Sequence, residues 1–391
     1  MHDFFKLVRY KKTRHPQQCT DTSFMMVSTV TRSSSCSILR RCSGSPLDHD
    51  GSRLANLTNF QCTITTVADR AKDPSPSPRP ARVQGNRIGM IEERLLVGCF
   101  QNECKDYSFY DDTVKSDNIQ ILEGVVHDFH QQGVEIAVFS ELFLCGYHIG
   151  VENIRKMAET SDGPSFQRIA EIARQHNMFI VYGYAERDPT NDKVYNSAIV
   201  VNNRGENVIN YRKTHLYHNE MFQFEKEAFT LGDRFEPLFE VKGFKVGVLI
   251  CWDIEFPEPV RVLRLRGADL IIVPTANNDT LCNNITLPAR AYENHIFICY
   301  INRAGSENGK VFNGESTIVA PHGQVLVKAP SVSGTSTTDG GGSCIMQGHN
   351  ARLVAEMVLH REEYKTAKMY NPFFGEDGRR PHLYNELGSN K

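Results

Sequence analysis

No apolar run in this chain approaches the length of a membrane-spanning helix. There is no Cys-x-x-Cys pair, and the 14 histidines form no His-Glu-x-x-His pattern. These absences argue against a membrane span and against a zinc site. Neither sign of charge dominates: the formal net charge is −2, which gives no case for nucleic acid or another polyanion as a partner. The cysteines number 11, an odd count, and they are scattered. That pattern speaks against a disulfide framework and for free thiols in a reducing compartment, so the expected location is cytoplasmic. No internal repeat is visible. What remains is 391 residues, 40% hydrophobic and 23% charged, enough to build a sizeable core in one large domain or two ordinary ones.

The first 90 residues differ from the rest. They are rich in Ser, Thr, Arg and Pro, show no sustained period, and run into the tract DPSPSPRPAR, which reads as an extended linker. This segment is expected to be a disordered extension. Arg9, Lys11, Lys12, Arg14, Arg32, Arg40 and Arg41 outnumber Asp3 and Asp21, a bias that fits a mitochondrial presequence. The alternatives are an unstructured extension or an over-long start, with Met25, Met26 and Met90 as later starts.

Order is expected from Leu95 to about Leu387, as a single domain over 95–387. Apolar strand-length runs cover Leu95–Phe100, Glu135–Ser140, Met178–Tyr184, Ser197–Val201 and Val208–Arg212. Helical spacing marks Thr113–Gln132 and Ser165–His176. Further along, Thr286–Asn294 reads as a helix, Phe297–Ile301 and Arg352–Leu359 as strands, and Ser316–Val327 as a hairpin. Strands alternating with helices argue an α/β class, and the hairpins make the sheets mixed. The stretch KVGVLICWDIEFPEPVRVLRLRGADLIIVPTANN, from Lys245 to Asn278, reads as strand, turn, helix, strand. Pro257 opens the helix and Gly267 closes it. Cys251 stands where the first strand ends. Facing a helix N-terminus there, the thiol is expected to be biased toward thiolate.

Three polar residues end buried strands: Glu141 in FSELFLCGY, Lys213 in YRKTHLY and Cys251 in LICWD. Together they resemble the Glu-Lys-Cys triad of the nitrilase superfamily, the carbon–nitrogen hydrolases. GADLIIVPTAN, RAYENHIFICYINRAG, NGESTIVAPHGQVL and RRPHLY extend the resemblance across the expected ordered chain. It implies a four-layer α-β-β-α sandwich with mixed sheets and a homo-oligomer, dimer or larger. It also implies cleavage of a small linear amide through a thioester on Cys251, without metal or cofactor. Glu141 would be the general base, and Lys213 with the backbone N–H of Trp252 would hold the oxyanion. The segment EKEAFTLG points to Glu225 as a second carboxylate that positions substrate and Lys213, with Glu220 and Glu227 as rivals on spacing. Tyr147, Trp252 and Asn277 are the expected substrate-binding residues.

Asp253, in the place where nitrilases tend to carry Glu, resembles the amidase and N-carbamoyl amide branches and leaves nitrile hydrolysis the minor reading. A catalytically silent binding member is the other class, but such a protein has no physical need of a reactive thiol, a base and a lysine at three strand ends. Asp253 and Glu255 follow the nucleophile with no base among them. Neutral or amino-bearing amides are therefore expected to be favoured over N-carbamoyl amino acids.

Overall fold

The computed structural model describes residues 93–332, 342–360, 362–374 and 378–388. The N-terminal extension and most of the polar loop at 331–342 lie outside them, and so does the presequence reading. β1 (Arg94–Gln101) leads into α1 (Asp112–Gln131), whose N-terminus is capped by Asp111 accepting from the Thr113 amide. β2 (Ile136–Phe139), α2 (Val151–Met157), α3 (Pro164–His176), β3 (Phe179–Arg187), β4 (Val194–Val201), β5 (Asn207–Arg212) and α4 (Phe224–Ala228) follow. The second half runs β6 (Phe239–Val241), β7 (Phe244–Val248), α5 (Pro257–Leu265), β8 (Leu270–Pro274), α6 (Leu287–Asn294) and β9 (Phe297–Ile301). It continues with β10 (Ala304–Glu307), β11 (Lys310–Asn313), β12 (Thr317–Val319), β13 (Val325–Lys328), β14 (Ser343–Gln347), β15 (Asn350–Val358) and α7 (Glu362–Tyr370).

The strands form two mixed sheets and a ribbon. The first sheet has the order β14-β15-β1-β2-β3-β4-β5, the second β13-β12-β9-β8-β7-β6, and β10 with β11 forms a two-stranded ribbon. β1, β2 and β3 run parallel, as do β7, β8 and β9, with antiparallel strands flanking both groups. Parallel strands need cover on both faces, which explains their almost unbroken apolar sequences. The two sheets bury one face against each other: Val97, Val138 and Val181 of the first share a core with Val246, Ile272 and Cys299 of the second. Cys99 and Cys299 meet across that interface, Sγ to Sγ at 2.9 Å. On the outer face of the first sheet, Leu122, Val126 and Phe129 of α1 and Ile169 and Ala173 of α3 cover Phe139, Ile180 and Ile199. α5 and α6 bring Val260, Leu263, Leu287 and Ala291 to the core of the second sheet. The result is the α-β-β-α sandwich.

One close approach sets the site. A Cβ on Gly183 in β3 would meet the backbone of the turn after β2, 2.7 Å from the Ser140 carbonyl oxygen and 2.8 Å from the Glu141 Cα. Glycine there lets the turn that carries Glu141 lie directly against β3.

Candidate active site

Glu141, Lys213 and Cys251 follow the ends of β2, β5 and β7. Two antiparallel steps, β3 to β4 and β4 to β5, return β5 to the direction of β2, which puts Glu141 and Lys213 at the same end of the first sheet. Cys251 opens a 3-10 turn, Cys251–Glu255, that precedes α5. Its φ is 46°, a left-handed conformation that costs a residue with a Cβ roughly 1–2 kcal/mol. Leu142, next to Glu141, has φ 48°. Glu225 arrives on the one-and-a-half-turn α4, whose carboxylate faces inward with Ala228 while its neighbours Lys226 and Glu227 stay exposed.

Lys213 links the two carboxylates. Its Nζ lies 2.8 Å from Glu141 Oε1 and 2.8 and 2.9 Å from the two oxygens of Glu225. Asn196 of β4 donates to Glu141 Oε1 at 2.7 Å, which leaves Oε2 buried and without a partner among the described residues. Glu225 also accepts the Tyr147 hydroxyl at 2.5 Å and the Tyr217 amide at 2.8 Å. Glu220 and Glu227 are exposed and take no part, so the spacing ambiguity resolves to Glu225. The Cys251 thiol lies 4.0 Å from the Ala276 carbonyl.

Burial sets the protonation states. It pushes the Glu141 carboxyl up, Lys213 pulls it down, and Glu225 adds to the rise. Burial opposes the Lys213 ammonium, yet Glu141 and Glu225 outweigh it and hold its pKa well above the ordinary lysine value. The thiol of Cys251 is raised well above its ordinary value, by burial first and by Glu141 next, with Lys213 opposing. The raised value runs against the expected bias toward thiolate. The N-terminus of α5 is a turn away and begins with Pro257, which has no N–H to offer.

Asp253 is fully buried and does not face a substrate. Its Oδ2 accepts from the Ile250 amide at 3.0 Å and the Tyr211 hydroxyl at 2.8 Å. Its Oδ1 accepts from the Thr214 hydroxyl at 2.9 Å and the His215 amide at 3.0 Å, and stands 2.7 Å from His215 Nδ1. This carboxylate ties the turn that begins at Cys251 to the residues just after Lys213. Nor does it cap α5. Asp253→Ala is expected to leave those donors unpaired and cost about 3 kcal/mol or more in urea unfolding, with activity lost in proportion to the displacement of Cys251.

The expected substrate-binding residues sort differently. Tyr147 is buried and spent on Glu225, with Phe224 and Phe312 packed on its ring. Trp252 is half-buried among Tyr217, His218 and Phe256, an aromatic wall beside the nucleophile. Asn277 uses its side chain within the protein: Nδ2 donates to the Tyr300 hydroxyl at 3.0 Å and Oδ1 accepts from the Asp279 amide at 2.9 Å. Glu255 is exposed; its carboxyl is raised by partial desolvation and by repulsion from Asp279. Arg261 and Arg264 point to the C-terminal segment, each about 5 Å from the ring of Phe374.

A model of the carbon–nitrogen hydrolase family matches residues 102–339. The chain belongs to the carbon–nitrogen hydrolase family. It is 41% identical over 213 residues to a hydrolase of the pqqF 5' region of Pseudomonas protegens, covering 53% of this chain and 73% of that one. It is 37% identical over 214 residues to a nitrilase of Pyrococcus abyssi, covering 54% and 78%. Among solved structures, the amidase from Nesterenkonia sp. AN1 superposes with a TM-score of 0.57 at 25% identity, covering 75% of this chain and 97% of that one. That structure is of a mutant of the amidase and shows covalent addition of the acetamide moiety of fluoroacetamide at its active-site cysteine.

Two site residues of this carbon–nitrogen hydrolase escape a reading of its sequence. Asn196 carried a signal: it is a polar residue inside VYNSAIVV, a strand buried from end to end. Tyr217 contributes a backbone amide, which leaves no trace in residue type.

Proposed function

We propose that this carbon–nitrogen hydrolase cleaves the non-peptide C–N bond of a small linear amide through a thioester on Cys251. The observation that supports this is the free Oε2 of Glu141, buried in a cluster with Lys213 and the buried Cys251 thiol. Cys251 Sγ attacks the amide carbon as Glu141 takes the thiol proton, so negative charge passes from carboxylate to substrate while Lys213 stays alongside. At rest the ammonium donates to Glu141 Oε1 and to both oxygens of Glu225, and it gives up one of the two Glu225 contacts to meet the oxyanion, joined by the Trp252 backbone N–H. Glu141 passes its proton to the departing amine, the C–N bond breaks, and the thioester remains. Glu141 then draws a proton from water, which attacks the thioester, and returns it to the departing sulfur as the C–S bond breaks, releasing the acid and restoring both thiol and carboxylate. Glu225, held by Tyr147 and the Tyr217 amide, keeps Lys213 charged and in place.

Nitrile hydrolysis is the second reading, favoured by the likeness to the Pyrococcus nitrilase. Ammonia release from a panel of purified linear amides, N-carbamoyl amines and nitriles tests both. Turnover of nitriles but not amides would reverse the order.

The acid limb of kcat/KM is expected above the ordinary carboxylate value of 4.5, because Glu141 must be ionised to accept the proton and burial raises its pKa. Activity is lost as pH falls through that raised value. No gain is expected near 9, where an ordinary thiol ionises, since the Cys251 thiol is raised well past it. Initial rates from about pH 4 to about pH 10 would show both features, and a step up near 9 would contradict a thiol that stays protonated at rest.

A further inference from the structure

We infer that Lys310 binds an anionic group on the substrate, remote from the scissile amide, and so selects carboxylate-bearing linear amides; this rests on the amide-hydrolase reading above. β11 alternates: Val311 is exposed, whereas Lys310 and Phe312 share the opposite face. Phe312 is buried with its ring 5.7 Å from that of Tyr147, the residue that donates to Glu225. Lys310 lies one pleat further out along the same face, half-buried, with its Nζ 4.2 Å from the centroid of Phe222. Phe222 packs in turn on Tyr217, which stands against Trp252. The ammonium therefore borders the aromatic wall that flanks Cys251.

Among the described residues this ammonium has no carboxylate partner. The acids of the same wall are spent: Glu225 holds Lys213, Tyr147 and the Tyr217 amide, and Glu307 holds Arg303 and the Tyr147 and His148 amides. Partial desolvation lowers the lysine pKa, while Cys251 and Glu225 are the charges that support it. An anion delivered by the substrate would compensate a cation that the protein leaves uncompensated. The exposed acid, Glu255, interacts with Asp279 and Cys282, and it is not among the charges that act on Lys310. An opening that reads from sequence as purely acidic thus carries a cation as well, and the expected preference for neutral or amino-bearing amides reverses.

The test compares three matched amides differing at the far end: succinamate, butyramide and 3-aminopropanamide. Wild type is expected to show a higher kcat/KM for succinamate than for the other two. Lys310→Gln should lower the succinamate-to-butyramide ratio by on the order of tenfold to a hundredfold. Lys310→Arg should retain most of the ratio, and Lys310→Glu should turn the preference toward 3-aminopropanamide. A reading by ratio is insensitive to a general loss of rate, and the arginine variant separates charge from packing. If butyramide is hydrolysed but the ratio is at or below one, or is unmoved by Lys310→Gln, the inference fails while the amide reading stands. If the folded enzyme cleaves none of these amides nor acetamide, both fall together.

Discussion

Cys251→Ala is expected to abolish ammonia release while leaving the fold in place. The thiol is buried beside Glu141 and Lys213, and neither a carboxylate that must act as base nor an ammonium can replace it as the attacking atom. Removing a nucleophile that works with its base as a unit costs on the order of 10⁶ in kcat where it has been measured. Stability should change little, by about 1 kcal/mol, because one sulfur atom is lost and alanine meets the same left-handed backbone strain as cysteine. The chemical counterpart is the acyl adduct. Mass spectrometry of wild type quenched during turnover should find it on Cys251. Cys145 and Cys282 are the buried rivals closest in sequence to the site motifs. Burial pushes both thiols to about 12, and Lys213 is not among the charges that act on either. An adduct on either, or full activity in Cys251→Ala, would remove the proposed mechanism.

Much of this fold was legible because its central strands are long-range neighbours with local signatures. GADLIIVP and the apolar run before Cys251 announce strands covered on both faces, and Pro257 and Gly267 bracket α5 as their backbone preferences require. What stayed hidden was short or depended on contacts from elsewhere. α2, α4 and the β10–β11 ribbon are too brief for a period to emerge and owe their form to packing. Inside the site, the positions of Glu141, Lys213, Cys251 and Glu225 followed from motif resemblance. The energetics did not. Asp253 looked like an acid facing substrate because sequence shows its neighbours along the chain, Ile254 and Glu255. Its partners Tyr211, Thr214 and His215 come from another strand end. The thiol looked activated because a helix follows it, and the turn that separates the two is a property of the folded backbone.

Lys213→Met is expected to damage catalysis and stability together, by two separable routes. Methionine keeps the length and apolar body of the side chain, so packing is largely preserved. In the proposed mechanism the oxyanion loses its cationic donor, which alone is worth roughly 10²–10³ in kcat. Glu141 and Glu225, both fully buried, lose the ammonium they share. Stranding buried charge in this way costs about 3–5 kcal/mol. The stability deficit should depend on pH in a defined direction. Lys213 is the main force pulling the Glu141 carboxyl down against burial, so its removal drives that pKa further up. A carboxyl whose folded pKa exceeds its unfolded value binds more protons when folded. The folded state of the variant therefore gains as pH falls, and it loses as pH rises from the unfolded value toward the raised folded one. Urea unfolding of wild type and variant at about pH 5.5 and about pH 8 should give a smaller deficit at the acid value. A deficit that is equal at both, or larger in acid, would mean that the charge of Lys213 does not hold this cluster together.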